Sequence, residues 1–316
     1  MKHPSPPAAV PLVYSPNYSI PWEAKHRFPM AKYRLLYERL IDLGIATQKN
    51  TYISSPCTRP SLSLAHADAY IEAFIEGSLS PQQLKEIGLN WTEKLVTRTL
   101  TAVGGTVLTC KLALVYGLAC HLAGGTHHAF AAKGQGFCVF NDIAVAVKTL
   151  LHEHRATRIL VLDCDVHQGD GTALMLEDEP RCFTCSIHGE HNYPQTKQRS
   201  DLDVSLPRGT EDAEYLLALD KTLAQLALLP PFDLLIYDGG SDVHRDDRLG
   251  QMNLSDAGIR NRDQRVIDWA QQRRLPTACL IGGGYDHDHP RLARRHSLLI
   301  ETADRCYRHW GQASVT

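Results

Sequence analysis

Asp163, Asp165 and His167 sit at alternate positions directly after an apolar run, RILVLDCD over 158–165, that reads as a β-strand. Alternate side chains on a strand share a face, so two carboxylates and an imidazole gather on one side of its end. That set suits a divalent metal, with Asp242 from another strand end as a further donor. A catalytic zinc keeps about three protein ligands and one open position. Alone, the same residues read equally as two aspartates capping a turn beside an unrelated histidine. The following Gly169-Asp170-Gly171 turn adds a carboxylate and favours the metal. His127 and His128 are adjacent in a glycine-flanked loop, Gly125-Thr126-His127-His128-Ala129. A lone pair of this kind is more often a surface feature. Here, if Asp165 and Asp242 hold a metal, Asp163 and Asp170 remain to orient the imidazoles, as carboxylates commonly do. Gly283-Gly284-Tyr285 follows another strand. Glycines let backbone approach a substrate, and a tyrosine hydroxyl can donate to a developing oxyanion; a turn with a packing tyrosine is the plainer alternative. Gly136-Phe137-Cys138 reads as pocket wall or as core.

Those residues need elements to carry them. Four β-rich runs are legible: 158–165, 181–187 (RCFTCSI), 232–238 (FDLLIYD) and 276–282 (PTACLIG). Helical patterns over 173–178, 212–229 and 256–274 lie between them. Strands alternating with helices predict a parallel sheet covered on both faces, and near-continuous apolar strands fit burial on both sides. Upstream, the spacing predicts helices over 31–43, 61–75 and 141–152, and two helices meeting near Gly104–Gly105 within 91–122. Pro4, Pro6, Pro7 and Pro11 mark an irregular leader before an apolar piece at 12–14. With no internal repeat and no linker, one open α/β domain over 1–316 is expected. Sites in such folds form at the C-terminal strand edges. Asp163 to His167, Ser186 to His188, Gly239 to Asp242 and Gly282 to Tyr285 all fall there.

Composition narrows the class. The chain has 316 residues, with 33 basic against 35 acidic and a net charge of −2. That excludes a globally basic nucleic-acid binder. Arg260, Arg262, Arg265, Arg273, Arg274, Arg291, Arg294 and Arg295 cluster toward the C-terminus; solvated helix faces are favoured over a docking patch, and direct nucleic-acid binding is not expected. Nine cysteines form no regular framework, which fits a reducing compartment. Cys182 and Cys185 fall on opposite sides of a strand and read as packed thiols. No uninterrupted apolar run reaches the ~18 residues of a membrane span, and the proline-rich start does not resemble a signal peptide. A cytoplasmic protein is expected.

The segments GTHHA, GFCVFND, DCDVHQGDGT, SIHGEHNYP, GGSDVHRDDRLG and IGGGYD resemble, in order and approximate spacing, the signature of zinc-dependent histone deacetylases. The resemblance runs from about residue 21 to 303. HRFPMAKYRLLYERL, SIHGEHNYP with SDLDVSLPRGT, and DDRLG are most similar to the class IV branch and its bacterial relatives. It implies an arginase/deacetylase fold with a single open parallel sheet of about eight strands and helices on both faces. It also implies Zn2+, or Fe2+ or another divalent ion, on Asp165, His167 and Asp242. His128 would be general base and acid, with His127 as its electrostatic partner. Asp163 and Asp170 would orient His127 and His128 respectively, and Tyr285 would polarise the carbonyl. Gly136 and Phe137, with Tyr193 opposite, would line the acyl-lysine channel. A structural K+ would use oxygens around Asp163, Asp165, His167, Ser186 and Ile187. Gly124-Gly125-Thr126 replaces the family's proline ahead of the histidine pair, a departure confined to the pocket floor.

The expected activity is metal-assisted hydrolysis of acylated lysine in proteins or peptides. Deacylation of small amines such as acetylpolyamines uses the same residues. Arginase-like chemistry would need a second metal. A catalytically silent acyl-lysine-binding scaffold conflicts with the complete set of ligands, base and tyrosine. The small residues at 124–126 and 282–284 either leave space for a long acyl chain or only satisfy turn geometry.

Overall fold

Eight short strands carry the predicted edges. They are β1 (Leu12–Tyr14), β2 (Thr51–Ile53), β3 (Leu118–His121), β4 (Ile159–Asp163), β5 (Cys182–Gly189), β6 (Leu202–Leu206), β7 (Leu234–Asp238) and β8 (Thr277–Leu280). The computed structural model describes residues 7–23 and 26–313, with side chains to His309; Pro4 and Pro6 of the leader lie outside them. All pairings are parallel, in the order β2-β1-β3-β8-β7-β4-β5-β6. Every residue of β4 and β7 is buried, as the apolar runs 159–162 and 234–237 ahead of their terminal aspartates require for strands covered on both faces.

The helices are α1 (Lys32–Asp42), α2 (Arg59–Ser63), α3 (Asp68–Glu76), α4 (Pro81–Ile87), α5 (Glu93–Tyr116), α6 (Asp142–His152), α7 (Asp170–Leu176), α8 (Asp212–Leu226), α9 (Asp256–Gln272) and α10 (His289–Ala313). They form two groups. α5 packs on β1, β3, β7 and β8 with α6 beside it, whereas α9 packs on α8 and α10, and α10 on α1. By length and composition α5 is apolar enough to cross a membrane, with mean hydropathy 1.4, yet half of that stretch is buried within this packing.

Several expectations need correction. The region 91–122 holds one helix and then strand β3, not two helices. Gly104 and Gly105 lie inside α5 as contact points: a Cβ at Gly104 would collide with the Ser55 carbonyl, and one at Gly105 with the Tyr18 hydroxyl and His121 Nε2. The helix ends instead at Gly117, at φ +84°. The single helix over 61–75 divides into α2 and α3, around His66, whose Nε2 accepts from the Asn141 N–H at 2.9 Å. β2 and β6 were not legible: each alternates or is half-exposed, as befits sheet edges. α7 starts at Asp170, not at Ala173.

The arginines of α9 and α10 do not all face solvent. Arg262 is 0% exposed and Arg295 1%. Arg262 donates to the carbonyls of Cys164 (3.2 Å), Gly239 (3.0 Å) and Gly240 (2.7 Å), and pairs with Asp263. It thereby ties the ends of β4 and β7 to α9. Arg262→Met would leave the Asp263 carboxylate buried without its cation, a loss of about 3–5 kcal/mol. Urea unfolding measures it; a shift below ~1 kcal/mol, the scale of a surface ion pair, would show that the strand ends hold without this anchor.

Candidate active site

The site grows from the register of two neighbouring strands. β4 and β7 pair Asp163 with Asp238, and β7 and β8 pair Asp238 with Leu280. The loops leaving all three strands therefore emerge side by side. The β4 loop brings Asp165 and His167; the β7 loop brings Asp242; the β8 loop brings Tyr285. The glycines make this approach possible. A Cβ at Gly240 would press on Asp165, and one at Gly283 on both Asp165 and Asp242.

Asp165, His167 and Asp242 meet as one buried donor set, with one ligand atom from each within 4.8 Å of the others. His167 Nδ1 lies 3.0 Å from Asp165 Oδ1 and 3.1 Å from Asp242 Oδ2. Tetrahedral ligands ~2.0–2.2 Å from an ion stand about 3.3 Å apart, so this spacing fits a small divalent cation. The electrostatics fit as well. Burial and Asp165 push Asp242 up to about 6. Burial lowers His167, yet its bonds to both carboxylates outweigh that and raise it to about 10. Two crowded carboxylates thus favour positive charge at this point. Their other oxygens are fixed by backbone: Gly283 N–H donates to Asp165 Oδ2 (2.7 Å) and Val166 N–H to Asp242 Oδ1 (2.9 Å).

The histidine pair stands beside this set. His127 Nδ1 is 2.7 Å from Asp163 Oδ2, and His128 Nδ1 is 2.7 Å from Asp170 Oδ1. The rings lie 4.2 Å apart between centroids. Their protonation separates. Burial lowers His127, but Asp163 and Asp165 outweigh it and hold that imidazole well above its ordinary value. Burial and the charge on His127 bring His128 down to about 4 despite the Asp170 bond. Tyr285 is pushed well above 10 by burial and by Asp165 and Asp242, so its hydroxyl keeps its proton.

A cleft of about 370 Å3 reaches this floor, with His128, His167, Gly136, Phe137, Tyr193 and Tyr285 among its walls. Phe137 adopts φ +68°, a strained setting for a bulky residue; its N–H donates to the Ile87 carbonyl (2.8 Å) at the end of α4. Beneath lies a cavity of only about 30 Å3, bordered by Gly124, Gly125, Thr126 and Lys32. The floor glycines open no tunnel: a Cβ at Gly125 or Gly282 would collide with Asp238. Of the residues expected around a monovalent cation, Asp163 and Ser186 pair in register. The loop through Asp165 and His167 runs along β5, where the Gly189 N–H donates to the Val166 carbonyl (2.8 Å). Ile187 follows on the same strand, and Ser186 Oγ lies 2.9 Å from His188 Nδ1.

Sequence reading missed four supporting residues. Asp142 accepts from the N–H groups of Gly125 (3.1 Å) and Thr126 (2.7 Å) and anchors the histidine loop. Its place in GFCVFND after the pocket-wall glycine was the available signal. Asp238 is 0% exposed, with neither oxygen bonded among the described residues, and it lies within 4.8 Å of His127 and Asp163. Lys32 is buried and donates to the Gly282 carbonyl at 3.2 Å. Gln135 donates to the second oxygen of Asp170 at 2.7 Å. Nothing in their local sequence separates Asp238, Lys32 or Gln135 from ordinary strand, helix or loop residues.

An uncharacterised protein of Picosynechococcus sp. is 46% identical over 297 residues, spanning 94% of this chain and 99% of that protein. Histone deacetylase 2 of Arabidopsis thaliana is 29% identical over 89% of this chain and 76% of its own. Acetoin utilization protein AcuC of Bacillus subtilis is also 29% identical, over 77% and 69%. Among solved structures, an HDAC homolog from Aquifex aeolicus superposes with TM-score 0.77 at 24% identity, covering 93% of this chain and 84% of that one. An HDAC homolog complexed with SAHA gives the same TM-score and coverage at 25% identity. The family model of the histone deacetylase domain matches residues 26–300, and the chain belongs to the histone deacetylase family.

Proposed function

We propose that the protein is a metal-dependent hydrolase that removes short acyl groups from lysine side chains, most similar by its motifs to the class IV branch. One observation carries this: a neutral, carboxylate-held His128, a protonated Tyr285 and a three-residue cation site converge on the floor of one cleft. Asp165, His167 and Asp242 would hold Zn2+ or Fe2+, whose chemistry there is Lewis-acid activation of water and of the acyl carbonyl. His128, its Nδ1–H directed at Asp170, keeps Nε2 available to take the attacking water's proton and pass it to the departing amine. His127, held cationic by Asp163 and Asp165, balances the charge that develops beside it. Tyr285 donates its hydroxyl proton in a hydrogen bond to the oxyanion. Gly136, Phe137 and Tyr193 embrace the acyl-lysine stem. A structural K+ at Asp163, Asp165, His167, Ser186 and Ile187 belongs to the same proposal. So does a reducing, cytoplasmic setting, on the strength of nine free thiols.

The rivals fare less well. The cleft mouth carries Arg27 and Lys85, with Glu86 as its acid, a poor match for a polycationic acetylpolyamine. Among the described residues, the other set that could hold a metal is His127, Asp163 and Asp238, and an ion there would displace the 2.7 Å bond between the first two. The cavity of about 30 Å3 beneath the site favours a short acyl group.

The deciding assay uses the metal-reconstituted enzyme against acetyl-, butyryl- and octanoyl-lysine peptides and acetylpolyamines. Peptides should exceed polyamines, and kcat/KM should fall with acyl length; the reverse order in either series rejects that part of the reading. Asp242→Ala should lose bound metal and turnover together, and full metal occupancy in that variant would contradict the donor set. His128→Ala should keep its metal while turnover drops at least ~10²-fold, the low end for general acid–base catalysis. A greater loss in His127→Ala at every pH would exchange the two roles.

A further inference from the structure

Asp247 lies in the loop after β7 and belongs to neither donor set. Its carboxylate is nearly buried, at 9% exposure. Oδ1 accepts from the backbone N–H groups of Leu249 (2.8 Å) and Gly250 (2.9 Å), and Oδ2 accepts from the N–H of Tyr285 (2.7 Å). The next residue completes the clasp: the Arg248 N–H donates to the Tyr285 carbonyl at 3.1 Å. Both backbone polar groups of the tyrosine are thus held by consecutive residues from another strand's loop. Gly250, tethered by the same carboxylate, packs so closely on the Asp242 carbonyl that a Cβ there would collide with it. One side chain therefore registers the tyrosine loop against the loop that carries Asp242.

The tyrosine loop needs such a restraint. It begins with three glycines, two of them at φ +57° and +157°, whose backbone has little preference of its own. The hydroxyl is at the far end of a long side chain, so a small backbone swing is magnified there, and a ~1 Å misplacement can cost on the order of 10²-fold in rate. Hydrogen bonds from N–H groups to a carboxylate are about twice as strong as neutral ones.

We propose that Asp247 is the positioning residue for Tyr285, fixing the tyrosine's backbone and through it the hydroxyl relative to Asp165, His167 and Asp242. The proposal rests on the reading of Tyr285 as the oxyanion donor. Asp247→Asn keeps the shape but only one acceptor oxygen. Two N–H groups on one side against one on the other draw that oxygen to Leu249 and Gly250, and turn an NH2 group toward the Tyr285 N–H.

The test compares wild type, Asp247→Asn, Tyr285→Phe and the double variant on an acetyl-lysine peptide, with metal content and hydrogen–deuterium exchange measured on each. Asp247→Asn should lower kcat by roughly 10- to 10²-fold with its metal retained and KM moved much less. The double variant should be no slower than Tyr285→Phe beyond about 3-fold, because both changes remove one interaction. Amides over 283–287 should exchange faster in Asp247→Asn while those of β8 stay as in wild type. Multiplying losses in the double variant, an unchanged kcat, metal lost in step with activity, or unaltered exchange over 283–287 would each overturn the proposal. Asp247→Glu, which keeps both acceptors one methylene farther out, should fall between wild type and Asp247→Asn; it takes the asparagine variant's place in the cycle if that variant does not fold. A wild-type enzyme that turns over no acylated amine would defeat the functional reading alone, and the exchange measurement would still decide the role of Asp247.

Discussion

Crowded negative charge at the ends of two adjacent strands is the constraint that organises this molecule. Asp163 and Asp238 are register partners on β4 and β7, and Asp165 and Asp242 follow within a few residues. All four are buried. Buried carboxylates in such numbers are costly unless positive charge or donors surround them. The fold answers with His127, His167 and the backbone N–H groups of Val166, Asp165 and Gly283 on the site side. On the other side stands Arg262, whose guanidinium binds the carbonyls of the same two strand ends. Asp238, with neither oxygen bonded among the described residues, is pushed well above the ordinary carboxylate range by burial and by Asp163, while Asp165 and Asp242 stand with His167 where a divalent ion fits.

That polarity also divides the labour between two chemically identical side chains. His127 and His128 are neighbours in sequence and each meets one carboxylate at 2.7 Å. His127 also faces Asp165 at 3.9 Å and is held cationic. His128 is left with a single carboxylate, shared with Gln135, and with His127's charge beside it. Two different imidazole environments thus arise from one dipeptide, because β4 and its loop set Asp163 and Asp165 against His127 while His128 meets Asp170 at the start of α7.

The three loops around the site have little secondary structure of their own, so single carboxylates act as their scaffolding. Asp142 gathers the N–H groups ahead of the histidines, and Asp247 gathers those around the tyrosine. The glycines that allow such close approach leave no room for a larger side chain. This makes the floor tight.

The sequence by itself carried the parallel α/β architecture, the central strands and the residues that meet at their ends. These signals are local: apolar runs of strand length, the polar residues that follow them, and motif order; the strand alternation expected of Asp163, Asp165 and His167 does not hold, because β4 ends at Asp163 and the other two lie in its loop. The sequence did not carry the strand β3, which reads as a continuation of α5 because four residues, LACH, are too few to show a period of their own. Nor did it carry the meaning of Gly104 and Gly105, which look like a helix break until Ser55, Tyr18 and His121 are placed against them. Edge strands β2 and β6 escaped for lack of burial. Arg262 and Arg295 look like any exposed helix arginine. Whether a floor glycine makes space or fills it depended on Asp238, 113 residues from Gly125 in the chain. Tertiary structure decided each of these, because the energy of a buried charge or a close contact depends on what lies across the core, and one-dimensional spacing does not contain that distance.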